Sequence, residues 1–178
     1  MLSAGESAAR AARVRLVVTD SDGVLTDAGV YYSERGEELK RFSIRDGMGV
    51  QRLRDAGIDT AIVTGETSGS VARRGEKLGL RHVRLGVKDK AAEVDRLMTA
   101  TGLGAAHLAY IGDDVNDLGA IELVGTAGLT GAPADALPAV REVVAFVCRA
   151  RGGKGAFREF AEWILGLRLN DGGKHERT

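Results

Sequence analysis

The chain has 178 residues and a mass of 18.7 kDa, which is the size of one domain with a substantial core. Lysine plus arginine number 25 and aspartate plus glutamate also number 25, so the chain lacks the basic surplus of a nucleic-acid-binding protein. No apolar run approaches the roughly 20 residues of a membrane span, and the single cysteine, Cys148, lies in an apolar segment, which favours a buried thiol in a cytoplasmic protein.

Short β-type runs alternate with helical periods along the chain, which predicts an α/β domain with an open, Rossmann-like parallel sheet and helices on both faces. Residues 1–13 are predicted to be an N-terminal tail, and the apolar run 14–19 the first strand. Two short strands around a glycine-containing loop predict a β-hairpin inserted over 29–42. The remaining predicted elements are, in chain order, a helix over 46–56, a strand over 58–64, a helix over 68–78, a strand over 83–85, a helix over 89–100, a strand over 108–111, a helix over 116–123, strands over 127–129 and 143–147, a helix over 156–165 and a flexible tail over 166–178.

Polar side chains follow three of the predicted strands at the points where these strands end: Asp20 and Asp22, then Thr64, then Asp113, Asp114 and Asp117. Because the carboxyl ends of parallel strands meet at one edge of a sheet, we expect these side chains to share a crevice. Five carboxylates there would repel one another, and their oxygen ligands suit Mg²⁺. Taken singly, each aspartate also fits a helix N-cap or a turn, but the convergence of three strand ends favours a metal site.

Four motifs occur in a characteristic order along the chain. They are Asp-x-Asp-Gly-Val-Leu-Thr-Asp from Asp20, Thr-Gly at Thr64, a lysine at Lys90, and Gly-Asp-Asp-x-x-Asp from Gly112. This order resembles the haloacid dehalogenase-like phosphatases over about 14–165. The resemblance implies phosphoryl transfer through an aspartyl phosphate and assigns a role to each motif.

The resemblance implies four catalytic residues. Asp20 would be the nucleophile, and Asp22 the general acid for the leaving alkoxide and then the base for the hydrolytic water. Thr64 would hydrogen-bond the phosphoryl group, and Lys90 would neutralise charge on the nucleophile and the phosphate. Lys88 is a rival for the last role, and a solvated surface lysine is the alternative, but the pattern over 86–90 matches the family's motif at Lys90.

The resemblance also implies the metal ligands. Mg²⁺ would be held by the carboxylates of Asp20 and Asp113 and by the backbone carbonyl of Asp22. Asp114 and Asp117 would support that site from the same loop.

The chain is too short for a cap domain. About forty residues separate Asp22 from Thr64, and the hairpin and one helix account for them. We therefore predict one domain over 14–165. The hairpin, together with the segment 151–159, resembles the capless sugar-acid phosphate phosphatases, which include the 3-deoxy-D-manno-octulosonate 8-phosphate and 2-keto-3-deoxynononate 9-phosphate phosphatases. That group implies a homotetramer assembled through hairpin 29–42, with a neighbouring subunit covering each active site.

Candidate substrate-binding residues lie in several segments. Gly23 and Gly65 would let the backbone approach phosphate oxygens. The Gly-Gly-Lys-Gly stretch 152–155 would be a mobile segment that brings Lys154 towards an active site; a plain loop is the alternative.

Glu66 is a departure from the octulosonate enzymes, which typically have arginine after Thr-Gly. Thr-Gly-Glu is more similar to the nononate enzyme, in which the matching glutamate and the residues matching Arg74 and Lys77 bear on the sugar acid. A glutamate suits substrate hydroxyl or amino groups rather than a carboxylate. A solvated helix face is the alternative for Arg74 and Lys77.

The predicted activity is Mg²⁺-dependent hydrolysis of the terminal phosphate of an eight- or nine-carbon 2-keto-3-deoxy sugar acid. A phosphatase for another sugar phosphate of a secondary-metabolite pathway is one alternative. A non-catalytic domain of the same fold is another, although Asp20, Asp22 and Lys90 are all retained.

Overall fold

The computed structural model describes the backbone of residues 2–175 and the side chains of residues 2–169, and the described residues form eight strands, seven α-helices and two short 3-10 helices. The strands are β1 (Leu16–Thr19), β2 (Tyr31–Ser33), β3 (Gly36–Leu39), β4 (Asp59–Val63), β5 (His82–Arg84), β6 (Leu108–Ile111), β7 (Leu129–Ala132) and β8 (Phe146–Val147). The helices are α1 (Ala4–Arg13), α2 (Ile44–Asp55), α3 (Gly69–Lys77), α4 (Lys90–Thr101), α5 (Leu118–Gly125), α6 (Pro138–Arg141) and α7 (Ala156–His175).

Six of the strands form one parallel sheet in the order β5-β4-β1-β6-β7-β8. Strand side chains alternate between its faces: in β1, Val17 joins one hydrophobic core, whereas Leu16 and Val18 join the other. The first core packs the sheet against α1, α2, α3 and α7, and the second against α4, α5 and α6. The open parallel α/β sheet with helices on both faces is therefore confirmed.

The hairpin and the short connections are as predicted. Strands β2 and β3 pair antiparallel and form their own two-stranded sheet. Between β1 and β4 the described chain adds only this hairpin and α2, and between β4 and β5 it adds only α3. No cap domain is present within residues 2–175.

The two ends of the chain differ from the prediction. Residues 4–13 are not a tail, because Ser3 and Glu6 form a capping box that starts α1, and Ala11 is fully buried. Arg10 also donates hydrogen bonds of 2.9 Å to the carbonyls of Gly125 and Gly128, which ties α1 to the domain.

Helix α7 continues beyond the predicted end at residue 165 and reaches His175. Leu165 and Leu167 pack against the first core, and the Arg168 guanidinium donates to the Val14 carbonyl at 3.3 Å. These contacts extend the helix into the predicted flexible tail 166–178, of which residues 176–178 lie outside the described residues.

Cys148 is a buried free thiol, and burial raises its pKa to about 12. It therefore packs as a small apolar residue. Among the described helices, none combines the length and the hydropathy that crossing a membrane requires.

Candidate active site

The register of the sheet brings three strand ends together. Thr19, at the end of β1, pairs with Ile62 of β4 and with Ile111 of β6. Asp20 directly follows β1, and Thr64 directly follows β4. Asp113 is the second residue after β6, so all three lie at the carboxyl edge of the sheet.

Lys90 forms the central ion pairs of the site. Its side chain is almost fully buried, and its Nζ lies 3.0 Å from Asp20 Oδ2 and 2.7 Å from Asp117 Oδ1. Burial lowers the pKa of Lys90, but the two carboxylates outweigh burial and raise it, so the ammonium stays charged. Lys88 is exposed, so the geometry favours Lys90 for the predicted role.

Asp117 holds the loop after β6 in shape. Its Oδ1 accepts from Lys90 and from the Tyr110 hydroxyl at 2.6 Å, and its Oδ2 accepts the backbone N–H groups of Asp113 (3.0 Å) and Asp114 (3.2 Å). Gly112 makes room for this carboxylate, because a Cβ there would lie 2.4 Å from Asp117 Cγ.

Tyr110 is a site residue that the sequence prediction lacks. Burial, followed by the charge of Asp117, raises the pKa of its hydroxyl, which therefore donates as a neutral group. Its place in a strand buried on both faces could have indicated this role, because a buried phenolic hydroxyl needs a hydrogen-bond partner.

The carboxylates of Asp20, Asp113 and Asp117 offer oxygens that all lie within 4.8 Å of one another. The two oxygens of Asp117 accept four hydrogen bonds, whereas each oxygen of Asp20 has one donor within hydrogen-bond distance, so Asp117 is the least suited of the three to hold a metal ion. Asp113 Oδ1, in contrast, is buried and has no hydrogen-bond partner among the described residues. Asp20 and Asp113 are therefore the carboxylates that fit a divalent cation, as the motifs predict.

The same two carboxyls have raised pKa values. Burial, together with the charge of Asp117, raises the pKa of Asp20 to about 7. Burial and the charge of Asp20 raise the pKa of Asp113 to about 8. A bound cation would favour the ionised form of both.

Gly23 is required by the position of Asp113. Its φ is +87°, and a Cβ at this position would lie 2.0 Å from Asp113 Oδ2. A Cβ added at Gly65 would have the Val87 carbonyl oxygen, at 3.6 Å, as its nearest neighbour, so nothing in the described chain crowds this position. Contact of either glycine with phosphate stays a prediction.

The Asp22 carboxylate is held by residues outside the motifs. Its Oδ1 accepts from the Thr26 hydroxyl at 3.2 Å and from Lys40 Nζ at 2.7 Å. Thr64 is buried, and its Oγ1 accepts the Glu66 N–H at 3.4 Å. Lys40 is a further residue that the motifs do not indicate, because it lies in the hairpin, far from Asp22 in sequence.

Of the predicted substrate-binding side chains, one is partly buried and three are exposed. Arg74 donates to the Ser43 carbonyl at 2.9 Å and lies over the Phe42 ring. Glu66, Lys77 and Lys154 are exposed. Their roles stay predictions.

The Gly-Gly-Lys-Gly segment lies on the loop that carries Asp22. The Gly153 N–H donates to the Val24 carbonyl at 2.9 Å, and the Gly152 N–H donates to Asp135 Oδ1 at 2.9 Å. Within this chain the backbone of the segment is therefore hydrogen-bonded both to the loop after β1 and to Asp135, which differs from the mobile segment that the sequence suggests.

The pH dependence of stability follows from the two raised pKa values. Between about pH 5 and pH 8, Asp20 and Asp113 bind more protons in the folded protein than in the unfolded chain, so the melting temperature of the metal-free protein should fall as pH rises over this range. Mg²⁺ needs ionised carboxylates, so its stabilising effect should grow over the same range. At 100 times its Kd the ion adds about 2.7 kcal/mol, or roughly 5–10 °C.

Thermal unfolding with a chelator or with excess MgCl₂, at both ends of that range, measures these effects. Asp113→Asn is the control, since it should lose most of the Mg²⁺ response. An equal Mg²⁺ effect at both pH values would contradict the assignment of Asp20 and Asp113 as ligands.

Three proteins of known sequence or structure resemble this chain over most of its length. It is 42% identical to the 3-deoxy-D-manno-octulosonate 8-phosphate phosphatase of Haemophilus influenzae over 152 residues, which cover 85% of this chain and 83% of that protein. The corresponding Moraxella catarrhalis enzyme, solved with a magnesium ion, a phosphate ion and a KDO molecule, matches with a TM-score of 0.87 and 35% identity over 98% of this chain and 99% of that chain. A Legionella pneumophila structure assigned to the HAD superfamily, subfamily III A, matches with a TM-score of 0.87 and 36% identity over 93% of this chain and 89% of that chain.

No protein-family model matches the chain. The relatives nevertheless share its sequence across most of both proteins, and they share its fold. With the four motifs meeting at one edge of that fold, this chain belongs to the 3-deoxy-D-manno-octulosonate 8-phosphate phosphatase family of the haloacid dehalogenase superfamily.

Proposed function

We propose that this protein is a Mg²⁺-dependent phosphomonoesterase that releases the terminal phosphate of 3-deoxy-D-manno-octulosonate 8-phosphate. The observation that carries the proposal is Asp20, a buried carboxylate at the end of β1 that pairs with Lys90 and lies in the acidic cluster with Asp113. The family relationship supports the eight-carbon acid as substrate. Thr64-Gly65-Glu66 keeps a nine-carbon acid as the second candidate.

Two displacements at phosphorus account for the reaction. Asp20 attacks the phosphoryl group, the bond from phosphorus to the sugar oxygen breaks, and Asp22 gives a proton to that oxygen. Asp22 then takes a proton from water, whose oxygen attacks the aspartyl phosphate and releases inorganic phosphate from Asp20. Thr64 hydrogen-bonds the phosphoryl oxygens. Mg²⁺ held by Asp20 and Asp113 would supply positive charge where the anionic phosphate meets the carboxylate.

Lys90 favours the ionised form of the nucleophile and orients it. Its ammonium donates towards Asp20 Oδ2, while the Ser21 N–H donates to Asp20 Oδ1 at 2.7 Å. The second ion pair, to Asp117, prevents the ammonium from moving away when the phosphate arrives.

A polar cavity beside the hairpin is the position that we propose for the sugar acid. A cavity of about 560 Å³ lies between the hairpin and the start of α3, and its lining includes Glu37, Thr67 and Arg73. Hydroxyl groups of a sugar suit such a lining. Arg73 now pairs with the Glu76 carboxylate at 2.9 Å, and it would exchange this exposed partner for a substrate carboxylate. Of the two neighbouring arginines of α3, Arg73 lines the cavity, whereas Arg74 donates a hydrogen bond to the backbone carbonyl of Ser43.

Phosphate release from a panel of substrates tests the proposal. With Mg²⁺, octulosonate 8-phosphate is expected to give the highest kcat/KM, nononate 9-phosphate and N-acetylneuraminate 9-phosphate lower values, and hexose phosphates the lowest. A preference for hexose phosphates would favour the alternative of another sugar-phosphate pathway. No release from any of them would favour a non-catalytic domain.

Assembly as a homotetramer in the cytoplasm is part of the proposal. The hairpin exposes Tyr31, Tyr32 and Leu39, each with about two thirds of its surface accessible. Such an apolar edge is covered in most proteins, and a second copy of the hairpin would cover it. Light scattering after gel filtration measures the mass, and a monomer would contradict this part.

Substitution of Gly152 tests how the loop after β1 is held. A Cβ at Gly152 would lie 1.9 Å from the Gly23 carbonyl oxygen, so Gly152→Ala should displace the loop that carries Asp22. We expect kcat to fall about 10- to 100-fold and stability to fall by about 1–3 kcal/mol.

Gly104→Ala is the matched control, because nothing lies within 4 Å of a Cβ there. Its kinetics and melting temperature should be those of the wild type. If Gly152→Ala also had the wild-type kinetics and melting temperature, the packing of Gly152 against Gly23 would not determine the position of the loop.

A further inference from the structure

We propose that Lys40 is a positioning residue that fixes the Asp22 carboxylate so that Oδ2 is the oxygen that exchanges the proton. The inference rests on the proposed function, in which Asp22 is the general acid and base. It adds a residue from the hairpin to the machinery of the reaction.

The two oxygens of Asp22 have different surroundings. Lys40 Nζ and the Thr26 hydroxyl both lie within hydrogen-bond distance of Oδ1, at 2.7 and 3.2 Å. Oδ2 is buried and has no hydrogen-bond partner among the described residues. A buried carboxylate oxygen without a partner costs free energy. An oxygen that receives its partner only when a substrate or a water binds would be left in this state.

Asp22 is the nearer of the two carboxylates that pair with the Lys40 ammonium in the described part of the chain. The Lys40 side chain is 0% exposed, and besides Asp22 the carboxylate nearest to its Nζ among the described residues is Glu37, at 3.6 Å. A buried ion pair contributes little to stability compared with well-packed apolar side chains. The pair does orient the carboxylate, because holding Oδ1 of Asp22 also fixes the position of Oδ2.

The contacts of Glu37 connect this arrangement to the start of α3. The Ser68 hydroxyl donates to the Glu37 carboxylate, and Ser68 is also the N-cap of α3. The hairpin is therefore held between the general acid on one side and the helix that follows Thr64 on the other. Its position bears on the orientation of Asp22.

Two kinds of substrate separate positioning of the acid from a structural role. From a sugar-acid phosphate the sugar acid leaves as an alkoxide that needs a proton, whereas from p-nitrophenyl phosphate the leaving group is p-nitrophenolate, which is stable without one. The value of kcat/KM reports the first displacement, in which this difference matters. For Lys40→Met we expect kcat/KM to fall about 100-fold on the sugar-acid phosphate, and to change less than about threefold on p-nitrophenyl phosphate.

The second displacement provides another readout in the same variant. It needs Asp22 as a base whichever substrate was used, so Lys40→Met should release a burst of p-nitrophenol followed by slow turnover. Lys40→Arg, which keeps the charge, should restore part of the loss. Lys88→Met is the matched control, since Lys88 is exposed, and its kinetics should be unchanged.

Each outcome is informative. If the wild type releases no phosphate from sugar-acid phosphates, the proposed function fails. If the wild type does so, but kcat/KM of Lys40→Met falls equally on both substrates or on neither, the inference about Lys40 is overturned. If Lys40→Met does not fold, Thr26→Val removes the other donor to Oδ1 and should show the same preference for p-nitrophenyl phosphate, more weakly; no such preference would overturn the inference.

Discussion

Replacing Asp20 with asparagine should abolish turnover and leave the fold intact. An amide of the same shape cannot form the acyl phosphate, so kcat should fall by roughly 10⁴-fold or more. Stability should not fall with it, because burial and the charge of Asp117 raise the pKa of Asp20 to about 7. At pH 8 the asparagine removes a disfavoured charge, so the melting temperature of the metal-free variant should equal or exceed that of the wild type.

Phosphate release and thermal unfolding, measured on the same preparation, test this pair of expectations. Asp95→Asn is the control, since Asp95 is exposed on α4, and it should have wild-type activity. Retained turnover in Asp20→Asn with Mg²⁺ would place the nucleophile elsewhere. Loss of both activity and folding would mean that Asp20 has a structural role that its raised pKa does not suggest.

The strand ends were predictable because local pattern and sheet topology determine them together. An apolar run followed by Asp-x-Asp needs no tertiary information to be recognised as a strand with carboxylates at its end. The parallel register then brings Asp20, Thr64 and Asp113 to one edge, whatever the loops do. The absence of a cap within residues 2–175 followed from the short spacing between Asp22 and Thr64.

The contacts that orient those residues were not predictable from the sequence. Lys40 meets Asp22 only because the hairpin folds back over the loop after β1, and Tyr110 meets Asp117 only because β6 and the next turn face each other. Both depend on tertiary packing that no local pattern contains. In the same way, α1 has a capping box in its sequence, but its packing on α7 shows only in the fold.

The charge on Asp117 should matter more for stability than the charge on any other acidic residue of the site. Its two oxygens accept four hydrogen bonds, from Lys90, Tyr110 and the backbone of Asp113 and Asp114. In Asp117→Asn, either orientation of the amide turns its NH₂ group towards donors. One orientation opposes the two backbone N–H groups, and the other opposes the Lys90 ammonium.

We therefore expect Asp117→Asn to lose about 2–4 kcal/mol of stability, which is roughly 5–15 °C in melting temperature. Mg²⁺ affinity should fall about 10- to 100-fold, because the freed backbone no longer fixes the Asp113 carboxylate. Tyr110→Phe removes only one of the four donors and should have a smaller effect on both quantities. Thermal unfolding and calorimetric titration with Mg²⁺ measure them. If Asp117→Asn bound Mg²⁺ as tightly as the wild type, Asp117 would not be what holds the metal-binding loop, and the unpartnered oxygen of Asp113 would need another explanation.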